Sequence, residues 1–146
     1  MLASIRLQRR AGEKQQRCLI EVGSLMTKVL YVEDHEGQCK IMRQVLELYG
    51  YEFDVAYNGE EGVKKAREWR PDIILMDIRM PGKIDGLAAV QQLRESSGTV
   101  GIPIIVISAW GGSKHKERAL KAGADLHFTK PVSIGKLIAA IHHYLR

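Results

Sequence analysis

The chain has 146 residues, a length at which most soluble proteins form one domain. Apolar residues make up 45% and charged residues 27%, a balance that supports a buried core and argues against a disordered or disulfide-stapled chain. No apolar run approaches the ~18 residues that a membrane-spanning helix needs. Cys18 and Cys39 lack the spacing of a zinc site or a redox pair, so a reduced, cytoplasmic environment is expected.

The net charge of +5 is distributed unevenly along the chain. Residues 1–26 carry five basic and two acidic side chains, a net charge of +3, whereas residues 27–146 carry 17 basic and 15 acidic ones. We predict that residues 1–26 form a basic N-terminal extension, flexible or weakly helical, and favour a solvated tail over a nucleic-acid or membrane contact. It makes a poor signal peptide, because no long apolar stretch follows its basic residues. Met26 offers a second plausible start, before one compact domain over 27–146.

The domain begins with alternating strand and helix patterns. Residues 29–32 are a continuous apolar run, as in a strand covered on both faces. A helix ending at Gly50 is indicated by an apolar stripe of Ile41, Met42, Val45, Leu46 and Tyr49. After a second strand over 52–56, Asn58 and Glu61 resemble an N-cap and its partner. The helix that they open carries three apolar residues and stops at a proline: Val63, Ala66, Trp69 and Pro71.

The second half continues this alternation. Apolar runs at 73–76 and 104–107 flank a predicted helix over about 87–94. A polar helix over 113–122 and a fifth strand near 126–129 follow. The last helix is indicated by a capping serine and an apolar face: Ser133, Leu137, Ile138, Ile141 and Leu145. Five strands alternating with five helices predict an α/β fold, a doubly wound parallel sheet covered on both sides.

Binding sites of open parallel sheets lie at the carboxyl ends of the strands. The residues at or just after the ends of four strands carry three carboxylates, a hydroxyl and an ammonium group: Glu33, Asp34, Asp77, Ser108 and Lys130. Clustered carboxylates repel one another unless a positive charge compensates, and Mg2+ prefers such oxygen ligands. The sequence therefore predicts a Mg2+ site, which with Lys130 suits an incoming phosphoryl group.

Each of these residues also has a purely structural interpretation. The carboxylates at 33–34 and Asp77 could be solvated turn or helix-cap residues, Ser108 could satisfy backbone groups, and Lys130 could lie on the surface. Their coincidence at the ends of different strands, in the right order, favours the functional interpretation.

The sequence resembles the receiver domain of two-component response regulators over about residues 27–146. The resemblance rests on motifs at all five strand ends: residues 29–34, 72–77, Met80-Pro81, Asp85-Gly86, 107–109, 122–124 and Lys130-Pro131. It implies a flavodoxin-like (βα)5 sheet with strand order 2-1-3-4-5.

The resemblance implies that Asp77 accepts a phosphoryl group from a sensor histidine kinase or a histidine phosphotransfer protein. Mg2+ would be bound by Asp34, Asp77 and the backbone carbonyl of Arg79, with Glu33 acting mostly through metal-bound water. The reaction would be a nucleophilic displacement at phosphorus, and the acyl phosphate would later be lost to water. The protein would be a signalling domain that catalyses only its own phosphorylation and dephosphorylation.

Ser108 and His127 would make up the switch. Ser108 would hydrogen-bond a phosphoryl oxygen and move toward it on activation, while Lys130 would pair with another oxygen. His127, three residues before Lys130, stands where the family typically has Tyr or Phe. Because an imidazole is smaller and titrates near neutrality, the usual rotamer switch is expected to be altered unless the ring only packs.

Two further departures from the family pattern flank the predicted pocket. Residues 82–84 are three, where the family usually has two between its Met-Pro and Asp-Gly motifs, so the resemblance leaves the course of this loop open. Arg79 and Trp110 occupy variable positions that tune phosphate lifetime. The Trp110 indole either restricts the hydrolysing water or points away, with 111–112 giving the loop freedom.

No effector domain is expected after the last helix, so the output would be altered contacts with a downstream protein. The expected face, formed by the fourth helix, fifth strand and fifth helix, carries five basic residues: Lys114, Lys116, Arg118, His127 and Lys136. It suits an acidic partner, although an ordinary solvated surface is the favoured interpretation.

Other classes of protein fit less well. A haloacid-dehalogenase-type phosphatase needs a second aspartate two residues after the nucleophile, where this chain has Arg79. A nucleotide or flavin binder would need a Gly-rich or Ser/Thr-rich phosphate loop after the first strand, where this chain has the acidic segment 33–36. The main alternative is a receiver module of a larger DNA-binding regulator or hybrid kinase, which predicts further sequence beyond Arg146.

Overall fold

Five strands and five helices make up the computed structural model, which describes residues 26–145. The strands are β1 Lys28–Val32, β2 Glu52–Ala56, β3 Ile73–Met76, β4 Ile104–Ser108 and β5 Leu126–Thr129. The helices are α1 Glu36–Leu48, α2 Gly59–Trp69, α3 Gly86–Glu95, α4 Ser113–Ala122 and α5 Ile134–Tyr144. The predicted basic extension lies outside the described residues, apart from Met26.

The strands form one parallel sheet in the order β2-β1-β3-β4-β5, which confirms the predicted fold and strand order. The register places Val32 of β1 beside Met76 of β3, and Ser108 of β4 beside Thr129 of β5. The chain therefore leaves neighbouring strands at one level of the sheet. The residues that follow these strands are brought to a common edge.

Side chains of each strand point alternately into two apolar cores, because successive residues of a strand face opposite sides of the sheet. Val29 and Tyr31 pack under α1 and α5, whereas Leu30 and Val32 pack under α2, α3 and α4. All four are buried. This two-sided burial explains why the strands are continuous apolar runs.

Side-chain caps begin the helices where the sequence indicated them. The Asn58 carboxamide accepts the Glu61 N–H at 2.8 Å, and the Glu61 carboxylate accepts the Tyr57 N–H at 2.7 Å. The Ser133 hydroxyl accepts the Lys136 N–H at 3.3 Å. Both predicted N-caps are confirmed.

One local prediction needs correction. In the apolar stripe of α1, Ile41 is 63% exposed and Tyr49 is 54% exposed, because the helix turns Cys39, Met42 and Leu46 toward the core instead. The end of α2 agrees with its prediction: the helix runs to Trp69 and stops before Pro71, with the intervening Arg70 in the left-handed conformation. Within residues 26–145, none of the helices combines the length and the apolar character of a membrane span.

Candidate acidic site at the carboxyl edge of the sheet

Three carboxylates meet where β1 and β3 end. Glu33, Asp34 and Asp77 each contribute an oxygen, and these oxygens all lie within 4.8 Å of one another. Glu33 and Asp77 are buried, whereas Asp34 is exposed. The cluster follows from the register of β1 and β3, and the donor set could hold a metal ion.

A lysine from the other side of the sheet reaches this cluster. The Lys130 ammonium donates to Glu33 Oε1 at 2.7 Å and lies 3.6 Å from Asp77 Oδ1. The Tyr31 hydroxyl donates to the same Glu33 oxygen at 3.2 Å, and the His35 N–H donates to the other at 3.2 Å. Both oxygens of the buried Glu33 carboxylate therefore have donors, as a buried charge requires.

Tyr31 is a site residue that our sequence analysis missed. Its phenol is the one aromatic side chain of β1, and that is the one signal that could have drawn attention to it. Burial, followed by the Glu33 charge, raises the pKa of the Tyr31 hydroxyl far above its ordinary value. The phenol therefore remains a proton donor to Glu33.

The Asp77 carboxyl loses its proton at a higher pH than an ordinary aspartate does. Burial, followed by repulsion from Glu33, raises its pKa to about 6, although the Lys130 ammonium acts in the opposite direction. One ammonium group therefore does not compensate the whole acidic cluster. A further positive charge at this position would stabilise the ionised form of Asp77.

Ser108 lies in the same cavity but its hydroxyl bonds elsewhere. The cavity has a volume of about 290 Å3 and is also lined by Glu33, Asp77 and Lys130. The Ser108 hydroxyl donates to the Trp110 carbonyl oxygen at 2.9 Å and lies 3.2 Å from His127 Nε2. Because its single proton is used by Trp110, the Ser108 oxygen is left as an acceptor on the side of His127.

His127 is buried below this hydroxyl, which corrects its expected place on the basic surface. Burial lowers the pKa of the imidazole, so the ring is neutral at physiological pH. The other four basic residues of that face are exposed: Lys114, Lys116, Arg118 and Lys136.

The Trp110 indole lies at the mouth of the cavity. The Arg79 guanidinium stacks over the indole at 4.4 Å, and the His115 ring lies 5.2 Å from it on α4. These three side chains also line an adjoining cleft of about 500 Å3 that extends past Asp34. Of the two predicted orientations, the indole takes the one that borders the pocket.

The loop after β3 is closed at its base. The Gly86 N–H donates to the Ile78 carbonyl oxygen at 2.8 Å, and a side chain at Gly86 would collide with the Asp77 carbonyl. In its middle, the Lys83 N–H donates to Glu60 of α2 at 2.6 Å. The course of residues 82–84, which the sequence left open, thus runs against α2.

Receiver domains are the class of α/β protein in which this sheet order and this acidic edge occur together. The family model described as the response regulator receiver domain matches residues 29–142, and the chain belongs to that family. It is therefore a receiver domain of two-component signalling, a family that interacts with histidine kinases and downstream effectors and that generally signals rather than turning over substrates.

Named relatives agree with this assignment. The polar-differentiation response regulator DivK of Brucella anthropi is 37% identical over 117 residues, which cover 80% of this chain and 94% of DivK. The structure of chemotaxis regulator CheY4 of Vibrio cholerae is similar with a TM-score of 0.76 at 28% identity, covering 82% of this chain and 99% of CheY4.

A second solved structure bears on the metal. The receiver domain of the sensor histidine kinase PA1611 from Pseudomonas aeruginosa PAO1 is similar with a TM-score of 0.76 at 28% identity, over 82% of this chain and 98% of that one. That receiver was determined with a magnesium ion coordinated in its active-site cleft.

Proposed function

We propose that this receiver accepts a phosphoryl group on Asp77 in a Mg2+-dependent reaction. The observation that carries the proposal is the position of the Asp77 carboxylate, buried between two further carboxylates and 3.6 Å from the Lys130 ammonium. The donor is a sensor histidine kinase or a histidine phosphotransfer protein, the partner class of the family.

The acidic cluster fits Mg2+ in size. Opposite ligands of this ion are about 4.2 Å apart, because each Mg–O distance is about 2.1 Å. The carboxylate oxygens lie within 4.8 Å of one another, so small side-chain movements reach this geometry. Asp34, Asp77 and the Arg79 carbonyl are the proposed ligands. The magnesium ion in the active-site cleft of the PA1611 receiver supports a metal site of this kind.

Glu33 suits an outer position. Its carboxylate already accepts from Tyr31, Lys130 and the His35 backbone, so direct coordination would cost these bonds. A water molecule between Glu33 and the ion would preserve them. The bound Mg2+ would supply positive charge against the phosphoryl oxygens.

The reaction follows from these positions. An ionised Asp77 oxygen attacks phosphorus and forms an O–P bond while the P–N bond of a phosphohistidine breaks and the departing imidazole takes up a proton. With a pKa of about 6, Asp77 is mostly ionised at physiological pH even before a cation adds its charge. Lys130 pairs with one phosphoryl oxygen. Ser108 leaves the Trp110 carbonyl to donate to another.

Altered contacts with a downstream protein are the proposed output, in the cytoplasm. The likeness to the response regulator DivK, of which this chain covers 94%, supports this output. The PA1611 neighbour is a receiver domain of a sensor kinase, and it supports the alternative that this chain is a receiver module of a hybrid kinase.

Phosphorylation with acetyl phosphate and Mg2+ tests the proposal by intact mass. Wild type should gain one phosphoryl group, and Asp77→Asn should gain none. Asp54→Asn, which changes a partly exposed strand aspartate paired with Lys65, is the matched control and should be labelled normally. Labelling of Asp77→Asn, or equal labelling of wild type in EDTA, would show that the assignment is wrong.

A further inference from the structure

Glu60 of α2 lies outside the acidic cluster. Its carboxylate contacts the loop between β3 and α3. Its Oε2 accepts the Lys83 N–H at 2.6 Å. Its Oε1 is buried and faces Gly82, where an added Cβ would lie only 2.7 Å away. The backbone N–H of Lys83 is the largest cause of the lowered pKa of Glu60. The carboxylate therefore sits directly on the loop backbone.

The loop is shaped to receive this carboxylate. Gly82 has a φ of +110°, which favours glycine, and an added Cβ there would displace the Glu60 carboxylate. A Cβ at Gly59, the first residue of α2, would lie 2.8 Å from the Ile84 side chain. The three residues 82–84 are thus seated on the beginning of α2, where the helix dipole also favours a carboxylate.

The same loop carries a proposed metal ligand. Arg79 lies between the closed base of the loop at Ile78 and Gly86 and the part held by Glu60. On the opposite side its guanidinium stacks on Trp110 at 4.4 Å. The loop is therefore held from α2 on one side and from the β4–α4 segment on the other.

We propose that Glu60 is a positioning residue that holds the β3–α3 loop, and with it the Arg79 carbonyl, in the geometry that Mg2+ binding requires. The inference rests on the proposed function. A carboxylate bonded to a backbone N–H makes a strong, charge-assisted hydrogen bond. A loop ordered in advance loses less conformational freedom when the ion binds.

Glu60→Ala tests the inference against Glu61→Ala. Glu61 is the adjacent helix carboxylate, but it accepts the Tyr57 N–H and caps α2 instead. Hydrogen exchange of the Lys83 amide in metal-free buffer reports the hydrogen bond to Glu60. Calorimetric Mg2+ titration reports whether this bond affects metal affinity. In Glu60→Ala we expect about tenfold faster Lys83 exchange and about tenfold weaker Mg2+ binding, the lower range for loss of an outer partner of a metal site.

The variants separate positioning from general stability. Glu61→Ala should destabilise α2 yet leave both readouts at wild-type values. Glu60→Gln keeps the side-chain volume and one acceptor oxygen, so its Lys83 exchange and its Mg2+ affinity should lie between those of wild type and Glu60→Ala. This variant replaces Glu60→Ala in the test if the alanine variant fails to fold. Unchanged Lys83 exchange or unchanged Mg2+ affinity in folded Glu60 variants would overturn the inference alone. A wild type that binds no Mg2+ would overturn the proposed function and this inference with it.

Discussion

The two halves of the site share one edge of the sheet but are held by different forces. At the ends of β1 and β3 the forces are ionic: the buried Glu33 carboxylate receives the Lys130 ammonium at 2.7 Å. At the ends of β4 and β5 they are neutral hydrogen bonds, which join the Ser108 hydroxyl to the Trp110 carbonyl and the His127 ring. The ionic half should therefore respond strongly to pH and cations, and the neutral half should not.

The largest expected effect is on the ionic half. Lys130→Met leaves the Glu33 carboxylate buried without its ammonium partner. The free energy of unfolding in metal-free buffer should fall by about 3 kcal/mol, the lower range for breaking a buried ion pair, because Lys130 is itself partly exposed. Urea denaturation measures this. Mg2+ binding should persist, since the carboxylates remain.

Lys136→Met is the matched control for this change. Lys136 is an exposed lysine of α5, so its loss should alter the unfolding free energy by less than about 0.5 kcal/mol. Equal losses in the two variants would contradict the ionic description of this half.

The next effect is a pH dependence. The pKa of Asp77 rises from 3.8 to about 6 on folding, so the folded state binds more protons between these values. The stabilisation from this proton is complete below pH 3.8 and is lost as the pH rises through 6. Asp77→Asn should therefore become more stable relative to wild type by about 2–3 kcal/mol between pH 4 and 7.5 in EDTA.

Denaturation of both proteins across this pH range measures that difference, in which the titration of groups that do not interact with Asp77 cancels. A difference that stays constant with pH would contradict the raised pKa of Asp77.

A third effect distinguishes the exposed Asp34 from the two buried carboxylates of the acidic cluster. Asp34→Asn removes a proposed direct ligand that is exposed, so Mg2+ affinity should fall by at least about tenfold while metal-free stability changes little. Calorimetric titration measures the affinity, with Asp54→Asn as the control. Retention of wild-type affinity would exclude Asp34 as a ligand.

The smallest effect is expected in the neutral half. Ser108→Ala should lower the unfolding free energy by about 1 kcal/mol, and by the same amount at pH 7 and pH 8, where His127 is neutral, because only neutral hydrogen bonds are lost. Mg2+ affinity should remain at the wild-type value. In NMR spectra, the phosphorylation-dependent shifts of β5 should be reduced. A loss that changes strongly with pH in this range would contradict the description of this half as neutral.

The edge that carries the site was predictable because a local pattern dictated it. Continuous apolar runs followed by Asp77 and Lys130 indicated parallel strands, and parallel strands bring their carboxyl ends together. The caps at Asn58 and Ser133 were predictable for a related reason, since a capping hydrogen bond joins residues only three apart.

Other features were not predictable from local patterns. The spacing of Ile41 put it on the apolar stripe of α1, but the packing of that helix left it exposed. His127 was expected on a basic surface and is buried below Ser108. Nothing near Glu60 in the sequence indicated a contact with Lys83, 23 residues later.

By itself, the sequence determined the strands, the sheet and the identity of the groups at its edge, because these follow from periodicity and from contacts within a few residues. The tertiary structure alone decided which groups pair: Lys130 with Glu33, 97 residues earlier, and Ser108 with His127, 19 residues later. Such pairings depend on side-chain direction and on competition between donors once the layers have packed. Residue spacing along the chain does not encode that competition.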